Sequence, residues 1–180
     1  MEMGGMMTEN SPDGQLTRVL VEWSLAKLPP RYARAADARD LDTLVGLFVP
    51  DVDCGRHGRG RDVLRGLLRE QLSAFGKSIH MVCGQVLDTV TESAATGTTY
   101  CRAEKQVGNR WIVVALRYQD EFAFHDGDWY FSRRTPQLWY ECENSGNPAD
   151  PAQHVAGAFA PSLPEALPTW REFWNDETAR

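Results

Sequence analysis

Apolar residues recur at helical spacing from the N-terminal region to Gly76. Residues 61–75 place leucines, a valine and a phenylalanine along one face, which is typical of an amphipathic helix. Residues 13–28 show similar spacing, and a second helix can start at the prolines that interrupt it, since proline fits the first helical turn. Asp40 stands where an N-cap would begin a short helix ending near Phe48. The pattern therefore predicts a helical N-terminal half.

From Ser78 the apolar period changes to two, as in strands with one buried face. Four segments follow this alternation: residues 78–90, 93–106, 110–124 and 128–140. Turn signals separate them, at residues 92–93, 108–109 and 125–128. Short links between long strands indicate an antiparallel meander. Helices followed by a curved sheet predict an α+β fold in which the helices pack on one face of the sheet.

Length and charge narrow the range of partners. A chain of 180 residues can bury one core of ordinary size, so we expect one domain. Its formal net charge of -6 argues against nucleic acid, because phosphate binding depends on a basic surface. No apolar stretch approaches the roughly 20 residues that span a bilayer, and residues 1–15 lack the regions of a signal peptide. We therefore expect a cytoplasmic protein without a membrane partner. The 4 cysteines show no CxxC pairing, as expected for reduced thiols.

Composition divides the chain into three expected segments. These are a flexible N-terminus over residues 1–14, a domain over residues 15–142 and a tail over residues 143–180. The tail is rich in proline and alanine, and it is either disordered or draped over the domain or a neighbouring subunit. Its aromatic residues would then serve as an anchor: Trp170, Phe173 and Trp174.

Three titratable residues stand among apolar neighbours. Asp37 lies among alanines and could be a cap or turn aspartate, and His80 could be a core histidine with satisfied hydrogen bonds. Asp120 interrupts an apolar stripe on the third strand, where an ionised carboxylate is costly unless it is paired. Either Arg133 of the next strand neutralises it, or Asp120 is a functional group with a raised pKa.

Metal and nucleotide chemistry find little support in the sequence. His80 and Cys83 are three positions apart on a predicted strand, so they point to opposite faces and cannot chelate one metal. The sequence has no GxGxxG, P-loop or GxSxG motif. A glycine-containing loop with Arg56, His57 and Arg59 could hold an anion or could be a solvated loop. We expect neither a metal nor a cofactor.

Three segments carry a resemblance to a known family. In chain order they are RYARAADARDLDTLVGLFVPDV, SIHMVCGQV and LRYQDEFAFHDGDWYFSRR, and together they resemble the SnoaL-like branch of the nuclear transport factor 2-like superfamily. The resemblance covers residues 16–140. Scytalone dehydratase, hexachlorocyclohexane dehydrochlorinase, ketosteroid isomerase and the polyketide cyclases share this fold. It implies a cone-shaped α+β barrel with a pocket inside the cone, a usual place for a small-molecule site.

The resemblance also implies roles for individual residues. In the dehydratase and dehydrochlorinase branches, a helix aspartate pairs with a histidine at the start of the first long strand. Asp37 and His80 fall on those positions, so His80 would be a general base oriented by Asp37. In the polyketide cyclases an aspartate of the third-strand region is the acid or base, which makes Asp120 the second catalytic candidate.

Substrate contacts are expected to differ from those of scytalone dehydratase. That enzyme holds its substrate carbonyl, through water, with two tyrosines, whereas Ala36 and Arg56 stand at about those positions here. Tyr32 or Tyr118 could supply a phenol instead, and an arginine such as Arg56 or Arg133 could polarise a carbonyl. We therefore predict these four side chains as substrate-binding residues.

Two classes of function remain open. The first is a cofactor-independent lyase or isomerase, of dehydratase or cyclase type, acting on a small hydrophobic ring compound related to polyketides, terpenoids or steroids. The second is a non-catalytic module that binds a small molecule or serves in assembly, since the fold also has such roles. A polar pair beside an enclosed pocket favours the first, and a pair that is solvated or packed over favours the second.

We also expect self-association. The outer face of a curved sheet is not covered by its own helices, so Trp111, Trp129 or Trp139 could leave an apolar patch that needs a partner. Because relatives form dimers or trimers, a homodimer or homotrimer is predicted.

Overall fold

A computed structural model describes residues 11–155 and 161–176 of the chain. Its helices are α1 (Pro12–Ala26), α2 (Leu28–Ala38), α3 (Leu41–Gly46), α4 (Arg61–Ser73) and α5 (Pro168–Asn175), with short 3-10 turns at Gly55–His57 and Pro151–Gln153. Its strands are β1 (Ser78–Val90), β2 (Ala94–Val107), β3 (Arg110–His125) and β4 (Asp128–Glu143). No helix among the described residues is long and apolar enough to cross a membrane.

Local signals explain where the helices begin and end. The side chain of Asp40 accepts a hydrogen bond from the backbone N–H of Thr43 at 2.9 Å, so it caps α3 as predicted. The helix ends at Gly46 rather than near Phe48. Arg39 ends α2 in the left-handed conformation, with φ 58°, and its N–H bonds back to carbonyls of the last turn.

The strands form one antiparallel, curved sheet in the order β1-β2-β3-β4, which confirms the α+β prediction. Each turn signal in the sequence produces a link between neighbouring strands. Bulges interrupt the register of this sheet, and one of them matters for the site. In the β3–β4 pair, Phe122 lies opposite Phe131, but Glu121 lies opposite Arg133, so one extra residue of β4 is accommodated between them.

Helices cover one face of the sheet, and one apolar cluster joins the two layers while a second joins the helices to one another. One cluster joins Leu25, Leu28 and Phe48 to the sheet residues Phe122 and Phe131, all buried. A second cluster lies among α2, α3, α4 and α5, with these members: Ala35, Ala36, Leu41, Leu44, Val45, Leu68, Leu72 and Phe173. The helices therefore leave the remaining concave surface of the sheet free to line a cavity.

The structure describes parts of the predicted N-terminal segment and of the predicted tail. Most of the predicted flexible N-terminus lies outside the described residues, and α1 begins within it at Pro12. In the tail, α5 buries Trp170 and Phe173, whereas Trp174 is 38% exposed. The three-segment division of the chain stays a prediction.

Two of the three tryptophans expected to leave an exposed apolar patch are buried, and only Trp139 is exposed, at 67%. Trp129 packs in the cluster with the helices, whereas Trp111 lies on the face of β3 opposite the cavity, beside the tail. The alternation of a strand does not show which residues the helices and the tail cover. The apolar face of α1 also differs from expectation, because Leu25 is its one buried residue while Trp23 stays exposed.

Candidate active site

A cavity of about 440 Å³ lies between the helices and the concave face of the sheet. Its wall is largely apolar, and these are some of its aliphatic and aromatic members: Leu44, Phe48, Leu64, Leu68, Leu72, Val114 and Leu116. Polar groups enter at a few places, among them His80, Tyr32, Tyr118 and Arg134. An apolar cavity with a few convergent polar groups is the usual form of a small-molecule site.

The structure brings Asp37 and His80 together. Asp37 lies in the last turns of α2, and β1 begins beside it. Its Oδ1 is 2.7 Å from His80 Nδ1, and its Oδ2 accepts the backbone N–H of His80 at 2.7 Å. Ser78 Oγ also donates to Oδ1, at 2.9 Å. Donors from the backbone and from two side chains therefore hold the carboxylate in one orientation.

The contact between Asp37 and His80 determines which ring nitrogen of the imidazole is available to a ligand. Because Nδ1 is engaged by the carboxylate, Nε2 is the ring nitrogen left for a ligand. His80 lines the cavity, whereas Asp37 is not among the lining residues. The side chains of His80 and Asp37 are 14% and 21% exposed. The arrangement can accept a proton from a bound molecule at Nε2 and stabilise the cation that results.

Arg134 supplies a cation to the same cavity. Its guanidinium carbon lies 3.9 Å from the ring centre of Tyr118 and 4.4 Å from that of Tyr32. Its side chain is only 3% exposed, and Nε lies 3.3 Å from Asp120 Oδ1. Within the described part of the chain, Nη1 has no hydrogen-bond partner. A buried donor of this kind is available to a ligand oxygen or halogen.

Asp120 lies behind Arg134 and is fully buried. Thr99 Oγ1 donates to its Oδ2 at 2.6 Å. Burial raises the pKa of Asp120 to about 6, and the Arg134 charge and the Thr99 hydrogen bond oppose that rise. The carboxyl group is therefore ionised at neutral pH and takes up a proton in mildly acidic solution. Asp120 is not among the residues that line the cavity.

The cation beside Asp120 is Arg134 and not Arg133, the partner considered from the sequence. An undisturbed hairpin register would place Arg133 opposite Asp120. The bulge between Glu121 and Phe122 shifts that register by one residue, so Arg134 lies opposite Asp120 and Arg133 lies opposite Glu121. Since successive strand residues alternate between faces, this single insertion exchanges the two arginines.

The predicted substrate-binding residues fall into two groups. Tyr32, Tyr118 and Arg133 line the cavity, while Arg56 does not. Burial raises the pKa of both tyrosines, so they stay neutral phenols that can donate a hydrogen bond. Arg56 lies in an exposed 3-10 turn, where its Nε donates to His57 Nε2 at 3.2 Å. The structure thus separates Arg56 from the other three.

Residues 17–135 match the SnoaL-like domain family. The chain belongs to this family, within the nuclear transport factor 2-like superfamily. No curated protein sequence matches it.

Solved structures share the fold of this SnoaL-like protein. The hexachlorocyclohexane dehydrochlorinase LinA type 2 has a TM-score of 0.68 at 20% identity, over 78% of this chain and 99% of its own. Another LinA structure has a TM-score of 0.65 at 24% identity, over 82% and 99%. A candidate scytalone dehydratase from Novosphingobium aromaticivorans has a TM-score of 0.60 at 20% identity, over 81% and 99%. At these identities the likeness concerns the fold alone.

Sequence reasoning missed two residues of this SnoaL-like site. Arg134 was hidden by the bulge, although a second arginine directly after Arg133 was a signal that either could face Asp120. Ser78 marks the change of period in the sequence, but that pattern does not show that its hydroxyl donates to Asp37. Within the described residues, no three His, Cys, Asp or Glu side chains group as metal ligands would.

Proposed function

We propose that this protein is a cofactor-independent lyase or isomerase in which His80 is the general base and Asp37 orients it. The observation that carries the proposal is the 2.7 Å contact between Asp37 Oδ1 and His80 Nδ1, with the ring on the cavity wall. This geometry presents Nε2 of a neutral imidazole to a bound molecule. The carboxylate then stabilises the imidazolium after proton transfer.

The proposed step is the removal of a proton from a carbon beside a leaving group or a carbonyl. His80 Nε2 takes the proton, and the electron pair of the broken C–H bond becomes part of a new double bond. In a lyase, the group on the neighbouring carbon departs with its bonding electrons. In an isomerase, the electrons move onto a carbonyl oxygen and the proton returns at another carbon. Both routes develop negative charge opposite the base.

Arg134 and Tyr118 are the groups that we propose to receive this charge. The guanidinium and the phenol both line the cavity and both can donate hydrogen bonds. Tyr32 and Arg133, also on the wall, would contribute to substrate binding. We assign Asp120 an indirect role, because it lies behind Arg134 and contacts the cavity only through that residue.

The substrate class follows from the size and lining of the cavity. A volume of about 440 Å³ with a mostly apolar wall suits a small hydrophobic ring compound. The dehydrochlorinase neighbours, named for hexachlorocyclohexane, and the scytalone dehydratase neighbour support elimination from a ring as the reaction class. We propose a polyketide-, terpenoid- or steroid-like compound that carries a leaving hydroxyl or a carbonyl.

The test uses the purified protein and a metabolite extract of its source organism, followed by mass spectrometry. Loss of water or of an acid, or an isobaric rearrangement, supports the proposal when it is absent from the His80→Ala variant. The matched control is His125→Ala, because His125 is exposed at the end of β3. A compound that is retained but never converted would favour the alternative, a binding module of the same fold.

Self-association and a cytoplasmic location also belong to the proposal. The exposed apolar residues of β4, Leu138 and Trp139, support a homodimer or homotrimer, since such residues are usually covered in an assembly. Sedimentation at micromolar concentration tests this, and a single species of 20.2 kDa would contradict it.

A further inference from the structure

A second buried cation lies behind the Asp37–His80 pair. Arg39, in the left-handed turn that ends α2, is only 2% exposed. Its Nη1 donates to the carbonyl oxygen of Ala36 at 2.8 Å and to Ser78 Oγ at 2.9 Å. Its Nη2 donates to the carbonyl oxygens of Phe75 and Gly76. One guanidinium therefore joins the end of α2, the segment after α4 and the start of β1.

The direction of the hydrogen bonds from Arg39 is determined by chemistry. A guanidinium can only donate, so Ser78 Oγ accepts from Arg39. The single hydroxyl proton of Ser78 is then free to be donated to Asp37 Oδ1, at 2.9 Å. The same oxygen faces His80 Nδ1 at 2.7 Å. The donors run from Arg39 through Ser78 to Asp37, and the carboxylate cannot rotate without breaking this series.

The C-terminal helix encloses Arg39. The guanidinium carbon lies 4.8 Å from the ring centre of Trp170 on α5 and 4.9 Å from that of Phe75. Thr169 Oγ1 donates to the carbonyl oxygen of Ala38 at 2.9 Å, which attaches α5 to the end of α2. Two aromatic rings thus cover a cation whose Nη1 and Nη2 already have acceptors.

Arg39 keeps its charge in this setting. Burial lowers the pKa of its guanidinium to about 10, and the Asp37 carboxylate opposes the fall. It is therefore a cation at neutral pH.

We propose that Arg39 and Ser78 are positioning residues for the Asp37–His80 pair, and that α5 holds their geometry by covering Arg39. The effect on turnover rests on the proposed function, whereas the effect on the histidine does not. Without the series of donors, Asp37 keeps the backbone N–H of His80 on Oδ2 but loses the hydroxyl that orients Oδ1. The contact of Oδ1 with His80 Nδ1 then weakens, and the ring populates the tautomer with its proton on Nε2. That tautomer cannot accept a substrate proton at Nε2.

The first experiment needs no substrate. Nitrogen-15 NMR of the imidazole, above the pH at which the ring protonates, shows which nitrogen of His80 carries the proton. We expect one tautomer, with the proton on Nδ1, in the unaltered protein and a detectable fraction of the other in Ser78→Ala. Ser78→Thr keeps the hydroxyl and should therefore show the single tautomer with the proton on Nδ1. Ser73→Ala is the matched control, since Ser73 Oγ bonds only to the carbonyl oxygen of Arg69, away from the pair.

Two further variants test the roles of the Arg39 cation and of Trp170, which packs against it. Arg39→Met should show the second tautomer more strongly than Ser78→Ala, because it removes the charge as well as the donor. Trp170→Ala should show it more weakly, since the guanidinium remains but is opened to water. If Arg39→Met does not fold, the Ser78 series decides the question alone. A folded Ser78→Ala protein with a single Nδ1–H tautomer would overturn the proposal, and an unchanged tautomer in Trp170→Ala would overturn the part that concerns α5.

Kinetics then separate this proposal from the proposed function. Once a substrate is known, Ser78→Ala should lower kcat by about tenfold or more with little change in KM, because misplacement of a catalytic group affects the reaction step. A purely structural role would lower stability and leave kcat of the folded enzyme unchanged. If the tautomer shifts as expected but His80→Ala retains full turnover, the positioning holds and the proposed function fails.

Discussion

Two carboxylates each lie behind a nitrogen-bearing side chain that lines the same cavity. Asp37 lies behind His80, and Asp120 lies behind Arg134. They differ in what holds the carboxylate. A backbone N–H and Ser78 orient Asp37, whereas among the described residues the polar partners of the Asp120 carboxylate are the side chains of Thr99 and Arg134. The first pair therefore presents a base that is well oriented and partly open. The second presents a cation, and its acid is shielded from water.

The difference explains how one cavity can hold a proton acceptor on one wall and a group that stabilises negative charge on another. Removal of a proton needs a neutral base with a fixed tautomer, and a nearby carboxylate accomplishes that. Stabilisation of developing negative charge needs a preorganised cation or donor in a water-poor place, which Arg134 supplies between two tyrosine rings. Breaking the first pair should therefore lower turnover, whereas breaking the second should first lower the free energy of unfolding.

The largest effect is expected from breaking the first pair. Asp37→Asn should keep the fold and lower turnover by about a hundredfold or more, since general acid–base catalysis contributes that much. His80→Ala should lose at least as much. Steady-state kinetics on the substrate measure both, with His125→Ala as the control. Full activity in both variants would remove this pair from the mechanism.

Breaking the second pair should act first on stability, and in a pH-dependent way. Arg134 opposes the rise in the pKa of Asp120, so Arg134→Met should raise that pKa above about 6. A raised folded-state pKa means that the folded protein binds the proton more tightly than the unfolded chain does, so stability falls as the pH rises through that range.

We therefore expect Arg134→Met to lose about 3 kcal/mol or more of unfolding free energy at pH 8, the range for a broken buried pair, and less at pH 5. Denaturant unfolding at the two pH values measures this difference. The double variant with Asp120→Asn should lose the pH dependence, because no carboxyl group remains to ionise. Arg133→Met, at the neighbouring exposed position, is the control. Equal losses at both pH values would contradict the assigned cause.

A smaller effect on the same pair should come from Thr99→Val. The two side chains have the same shape, so the variant removes only the hydrogen bond to Asp120 Oδ2. A bond to a charged group contributes about 1.5 to 3 kcal/mol, and we expect the lower part of that range at pH 8. Thr98→Val, on the opposite face of β2, should change the unfolding free energy far less. A loss at Thr98 as large as at Thr99 would mean that the strand and not the bond is responsible.

The smallest effect is expected at the phenols. Tyr118→Phe keeps the ring against Arg134 and removes one donor from the cavity. Turnover should fall several-fold, about tenfold at most, because Arg134 still faces the developing charge. Tyr140→Phe, on an exposed part of β4, is the control. A loss as large as that of His80→Ala would instead make Tyr118 the principal acid.

Much of the fold could be predicted because its signals are local. The strand from Ser78 to Val90 is the segment expected from its alternation, and the other strands end within a few residues of their predicted limits. Alternation and turn residues act over neighbouring positions, so they can be read without knowing the partner strand. Asp37 and His80 could be named because a family resemblance supplied the pairing that local patterns left open.

The features that could not be predicted depend on contacts between distant parts of the chain. A single bulge in the β3–β4 pair decides that Arg134 and not Arg133 faces Asp120, and a bulge has no reliable signal in one sequence. Likewise, the sequence predicts exposed Trp111 and Trp129, but the tail lies beside the first and the second packs with the helices, and both are buried. The failure has one cause in both cases, since burial depends on which elements finally pack together.

The sequence by itself thus determined the α+β order, the approximate limits of the strands and the placement of an acid on α2 and a histidine on β1. Only the tertiary structure decided that Ser78 and Arg39 hold that acid, that α5 covers Arg39 and that Asp120 lies behind a cation. Periodicity describes how a segment faces its surroundings, but register, bulges and docking of the tail determine what those surroundings are. Side chains separated by 39 and 41 positions become partners only when the chain has closed.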